Sequence, residues 1–130
     1  MQDTTTCSKA ATVGNTTIKL PMYNCKVVIK IVDNVKVEAE KLYKKHKIKE
    51  EFDGEAEGAL VTINIDSYYL LLGNKFLTHN TIAHEVFHAA IAVAEDRGIT
   101  DEEAKAWMAG HITGTLYKFL DKKKLTVKHG

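Results

Sequence analysis

Hydrophobic and polar positions alternate along the chain with two periods, and the change of period divides it into strands and helices. Residues 25–32 (CKVVIKIV) form a β-branched run that predicts a mostly buried strand. Asp33-Asn34 then offers a helix N-cap, and Val35, Ala39, Leu42 and Tyr43 recur at helical spacing with Lys and Glu between them. An amphipathic helix to about Lys47 is predicted. After an acidic turn region (EFDGEAEG, 51–58), Ala59, Val61, Ile63 and Ile65 alternate with Thr62 and Asn64, the period of a strand. Asp66-Ser67 turns the chain into YYLLL (68–72), a further strand expected to pair antiparallel with the one before it.

Two helices are predicted to close the fold. One starts near Asn80 or Thr81 and runs to Arg97. It is apolar almost all round, through Ile82, Val86, Phe87, Ile91 and Val93 with alanines between, so it belongs at the centre of the molecule. Gly98 suits its C-terminal stop. The other opens on Thr100-Asp101-Glu102-Glu103, a capping-box pattern, and runs to about Leu120. The expectation is one α+β domain over 18–121, with a three-stranded sheet packed on the central helix and two further helices. A Thr-rich segment over 1–17 is expected to be disordered, and 122–130 to form a basic tail.

Composition narrows the classes of function. With 45% hydrophobic and 27% charged residues and a formal net charge of +1, no global field points to nucleic acid or membrane as a partner. The basic stretches Lys44-Lys45-His46-Lys47 and Lys122-Lys123-Lys124 are local and read as solvated faces. No apolar run approaches the ~20 residues that span a bilayer, and no apolar leader segment is visible, so a cytoplasmic protein is expected. Cys7 and Cys25 lack metal-type spacing and read as reduced thiols.

The chemistry lies in His84-Glu85-Val86-Phe87-His88, an H-E-x-x-H pattern on the central helix. Residues four apart on a helix are separated by about 40° around its axis, so both imidazoles leave one side and can share an ion. Glu85 stands beside that side, where it can act on a water without occupying the metal. Two histidines and a glutamate on one stripe of a buried helix would be costly without a partner. One Zn²⁺ per chain is therefore expected, held by His84 and His88.

Two residues compete as third ligand. Glu103, Trp107, Gly110 and Gly114 share one stripe of the last helix. The helix-weakening glycines would be explained by close approach to the metal-bearing helix, with Glu103 pointing at the ion. Glu103 is also the N3 position of the capping box. His111 is the rival: a returning antiparallel helix comes level with His88 only after about ten residues, nearer His111 than Glu103. His79 precedes the helix and reads as a surface or capping residue.

HEVFHAA followed by EEAKAWMAG resembles the gluzincin metallopeptidases, in which H-E-x-x-H supplies two zinc ligands and a downstream glutamate the third. The run from Tyr68 to Leu120 is similar to small phage and prophage proteins of minimal-zincin type, which would place the protein in a bacterial host. The resemblance covers about the last two-thirds of the chain and implies a zincin-like fold with Glu103 as third ligand. It implies Tyr68, Tyr69 and Leu70 in an edge strand that pairs with an extended substrate. Where thermolysin-like enzymes carry an Asp four residues after the third ligand, this chain has Trp107. The implied activity is zinc-dependent hydrolysis of a peptide or protein substrate, with Glu85 as general base and Tyr68, Tyr69 or His111 available to steady the oxyanion. The alternative is a non-catalytic, metal-stabilised module, regulatory in phage or host, that holds a peptide on its edge strand.

Overall fold

Apolar residues in the middle of the chain build the sheet, and flanking helices cover it. The computed structural model describes residues 12–50, 52 and 57–129. Its strands are β1 (Thr12–Leu20), β2 (Cys25–Val32), β3 (Gly58–Asn64) and β4 (Ser67–Gly73); its α-helices are α1 (Val35–Lys45), α2 (His79–Asp96) and α3 (Glu102–Lys122). The sheet order is β1-β2-β4-β3, with β2 and β4 parallel and the outer pairs antiparallel. The fold is α+β, but its sheet has four strands rather than the expected three.

Two corrections follow from that order. Residues 12–17, expected to be disordered, belong to β1, where Gly14 packs under the Phe119 ring and Ile18 and Leu20 are buried against the helices. Threonines supply the β-branched surface that a polar composition concealed. The other part of that segment, residues 1–11 with Cys7, lies outside the described residues. Secondly, the strand of Tyr68, Tyr69 and Leu70 is not at an edge: β4 is flanked by β2 and β3. Leu70, Leu71 and Leu72 are all fully buried although they alternate between faces, as an interior strand requires. Among the described residues the edge strand on that side is β3.

One face of the sheet carries Val27, Ile29, Ile31, Tyr68, Leu70 and Leu72 into the core beneath α2 and α3. α2 lies over β3 and β4, while α3 lies toward β1. The opposite face carries Val32, Val61 and Leu71 beneath Val35, Ala39 and Leu42 of α1. Asn34 caps α1 by accepting from the Val37 amide at 3.0 Å.

α2 begins at His79, slightly ahead of the expected start, because the Thr78 hydroxyl accepts from the Thr81 amide at 3.0 Å. Arg97 anchors its other end. The guanidinium donates to the carbonyls of Tyr23 and Ile65 and to the Tyr68 hydroxyl, which itself donates to Asp96 at 2.6 Å. The cap of α3 is Asp101 rather than Thr100: its carboxylate accepts from the Glu103 amide at 3.3 Å. The basic tail is tied back, with Lys128 donating to the Leu77 carbonyl and accepting from the His79 amide. No helix among the described residues is long and apolar enough to cross a membrane.

Candidate metal centre

α2 presents two unlike faces. Ile82, Val86, Ala89, Ala90 and Val93 are buried against the sheet and α3. His84, His88, Ile91 and Glu95 form the opposite stripe, beside the free edge of β3. The cleft between them has a volume of about 450 Å³ and is lined by Gly58, Ala59 and Leu60 of β3 and by Glu85, His88 and Ile91 of α2.

At this cleft, which Glu85 and His88 line, the H-E-x-x-H spacing does what helical geometry demands. The Nε2 atoms of His84 and His88 converge to 3.1 Å, with the rings edge to face. Two zinc–imidazole bonds of about 2.0–2.1 Å at a near-tetrahedral angle span about 3.3 Å, so the pair stands close to the separation of two ligands on one ion. The donor chemistry fits zinc as well. Glu85 Oε2 is 4.0 Å from His84 Nε2, and its side chain is only 9% exposed where that of His84 is 63% exposed. Burial pushes the Glu85 carboxyl above the usual carboxylate range, against the opposing pull of His84 and His88.

Gly58 creates the space for Glu85. A Cβ at position 58 would lie 2.7 Å from Glu85 Cγ and 3.0 Å from the Leu71 carbonyl oxygen. Only a residue without a side chain lets the edge strand approach this carboxylate. A clasp one turn back holds the approach, where the Thr81 hydroxyl donates to Glu57 at 2.8 Å and the Gly73 amide donates to the Glu57 carbonyl. In the sequence Gly58 reads as turn punctuation, and Glu57 carries no signal at all. The glycine that opens a strand, facing a carboxylate-bearing helix, is the one hint that was there.

The structure does not bring the expected third ligands to this pair. Among the described residues no three His, Cys, Asp or Glu side chains are grouped as metal donors. α2 and α3 run antiparallel with His79 Nδ1 2.7 Å from the Tyr117 hydroxyl, which sets their register. In that register Glu103 lies near the far end of α2, exposed beside its own cap. His111 stacks flat on Trp107 at 5.1 Å, and Trp107 in turn meets Tyr23 at the β1–β2 end. Both residues thus belong to α3, across the buried face of α2 from the histidine pair. The explanation offered for Gly110 and Gly114 fails with them, since nothing lies within 4 Å of a Cβ at either position. Tyr68 is buried and bonded to Asp96 and Arg97, away from the cleft.

No protein-family model matches the chain, and neither the curated proteins nor the solved structures contain a significant match.

Proposed function

We propose that this chain is a minimal zincin-like peptidase domain that hydrolyses a peptide bond at the cleft between α2 and β3. One observation carries the reading: His84 and His88 converge at 3.1 Å, and His88 lines a cleft whose wall also holds the buried carboxylate of Glu85. His84 and His88 would hold one Zn²⁺, which when bound polarises the scissile carbonyl and acidifies a water. Glu85 accepts a proton from the attacking water as its oxygen bonds to the carbonyl carbon. Glu85 then delivers that proton to the amine as the C–N bond breaks. A carboxyl raised by burial is suited to both transfers. The unpaired edge of β3 orients the substrate by strand addition, taking the place expected of Tyr68, Tyr69 and Leu70.

The test combines metal content with turnover. Zinc per chain, measured by elemental mass spectrometry, should be about one in the wild type and lost in His84→Ala and His88→Ala. Glu85→Gln should keep the metal and lose hydrolysis of an unfolded protein substrate by at least a hundredfold. Unchanged hydrolysis in Glu85→Gln refutes the mechanism. A zinc-loaded wild type that binds peptide without cutting it supports the second reading, a metal-stabilised binding module. The observation favouring that module is that only two protein donors meet among the described residues.

A further inference from the structure

The sheet face turned away from α2 and α3 is only partly covered. Among the described residues α1 lies over β3 and β4, and no helix covers this face of β1 and the adjoining side of β2. On this open strip Lys19 stands directly opposite Lys26, Thr17 opposite Val28 and Asn15 opposite Lys30. Lys19, Lys26, Thr17 and Asn15 are exposed. Like charges directly opposite in an antiparallel ladder are destabilising, so the Lys19–Lys26 pair weakens the very strands it sits on.

α1 adds a wall of the same sign. Glu38, Lys41 and Lys45 stand at i, i+3 and i+7 and therefore share one helical stripe. The 2.8 Å ion pair from Lys30 to Glu38 turns that stripe toward β2. Glu38 is thus engaged by Lys30, and Asp66 at the end of the strip is the carboxylate beside Lys19 and Lys26. Between wall and floor lies Tyr69, half-buried against the α1 cluster and next to Val28 across the parallel ladder, with the exposed His46 ring 6.4 Å away and tilted 46° to it, and Lys30 Nζ 5.8 Å above it. Cations flanking an aromatic platform on an open sheet are the combination that holds single strands: charge follows the backbone and rings receive bases. A near-neutral chain conceals this, because net charge says nothing about how charge is segregated.

We propose that this open face binds single-stranded nucleic acid, with phosphates along Lys19, Lys26, Lys41 and Lys45 and a base on the Tyr69–His46 platform. The two open strands, β1 and β2, present a floor only about 10 Å across, and α1 walls one side, so an extended single strand fits where a duplex does not. The site lies on the opposite side of the sheet from the α2–β3 cleft and is independent of it.

The experiment is fluorescence anisotropy of labelled dT20, and of a duplex of equal length, titrated with the full chain at 50 and 200 mM salt. With four lysines not engaged by Glu38, affinity for dT20 should fall about 50-fold between those salts. Lys19→Gln/Lys26→Gln should weaken binding at low salt and shallow the log–log salt slope by about 1.4. His46→Ala and Tyr69→Leu should weaken it about fivefold or more while leaving the slope unchanged. Replacing Lys122, Lys123 and Lys124 by Gln should leave affinity as it is. No dT20 binding at 50 mM salt overturns the proposal. So does a duplex bound as tightly as dT20, or affinity lost with the tail lysines and kept in Lys19→Gln/Lys26→Gln.

Discussion

Gly58→Ala is the perturbation that most directly probes how the cleft is built. The added methyl would lie 2.7 Å from Glu85 Cγ and 3.2 Å from Glu85 Cδ, with the Leu71 carbonyl oxygen 3.0 Å away on its other side. Carbon atoms pack at about 3.5–4.0 Å, so roughly 1 Å must be found by moving either the Glu85 side chain or the edge strand. Overpacking of this kind costs about 1–3 kcal/mol. A displacement of about 1 Å at a catalytic group lowers turnover about a hundredfold. Because Glu85 is the flexible partner, the strain should disappear when its carboxylate is removed. The assay is a double-mutant cycle of Gly58→Ala and Glu85→Ala, read by urea and thermal denaturation with zinc chelated. A coupling of about 1 kcal/mol or more is expected, a difference of about 3–5 °C in melting temperature between the two backgrounds. Equal cost in both backgrounds would mean that the clash is with Leu71 and that Gly58 serves the strand rather than the carboxylate. Zinc content should not respond to Gly58→Ala, since the atoms nearest a Cβ there belong to Glu85 and Leu71 rather than to a histidine.

Other outcomes follow from the same geometry. Glu103→Ala and His111→Ala should each retain the zinc of the wild type, measured by elemental mass spectrometry; loss in either would show that α3 reaches the pair. Gly110→Ala and Gly114→Ala should each stabilise by about 0.5–1 kcal/mol in urea unfolding, because both are helical with nothing within 4 Å of a Cβ; destabilisation would reveal a surface packed on that face. Burial and the Asp96 hydrogen bond push the Tyr68 hydroxyl up to about 12, whereas an unfolded tyrosine ionises near pH 10. The unfolded state therefore releases this proton first, and about 2–3 kcal/mol of stability is lost as pH rises from about 10 to 12. Tyr68→Phe should flatten that part of the stability–pH profile, and an unchanged slope would refute the assignment.

The legible parts of this fold were those where one residue pattern fixes one local geometry. H-E-x-x-H forces two imidazoles onto one side of a helix wherever that helix packs, and the structure has them 3.1 Å apart. The Asn34 cap and the alternation of Ala59, Val61 and Ile63 are local in the same sense. Strand order is not local. Nothing near YYLLL states that β2 lies on its other side, although three consecutive buried leucines fit an interior strand better than an edge. β1 is hidden in the sequence because its Thr and Asn are polar, although threonine is β-branched and suits a strand. The placing of Glu103 and His111 is not local either: level along the helix axes does not fix which side of α2 faces α3, and the structure has α3 against the face opposite the histidine pair.

The orientation of α2 limits what can reach the histidine pair. α2 has one face to give to the core, and its alanines at 89, 90 and 94 give it to the sheet and to α3. Histidines at 84 and 88 are then bound to leave on the opposite side, toward β3. Two clasps keep this orientation from slipping: Glu57 on Thr81 at the front, and Arg97 on Tyr23, Ile65 and Tyr68 at the back. Any further group acting on the histidine pair must therefore approach across β3 or along the His84–His88–Ile91–Glu95 stripe. A partner or substrate laid on the β3 edge meets both conditions at once. Gly58, which lies against Glu85 in the α2–β3 cleft, rather than a residue of the last helix, is therefore the position at which changes should be felt first.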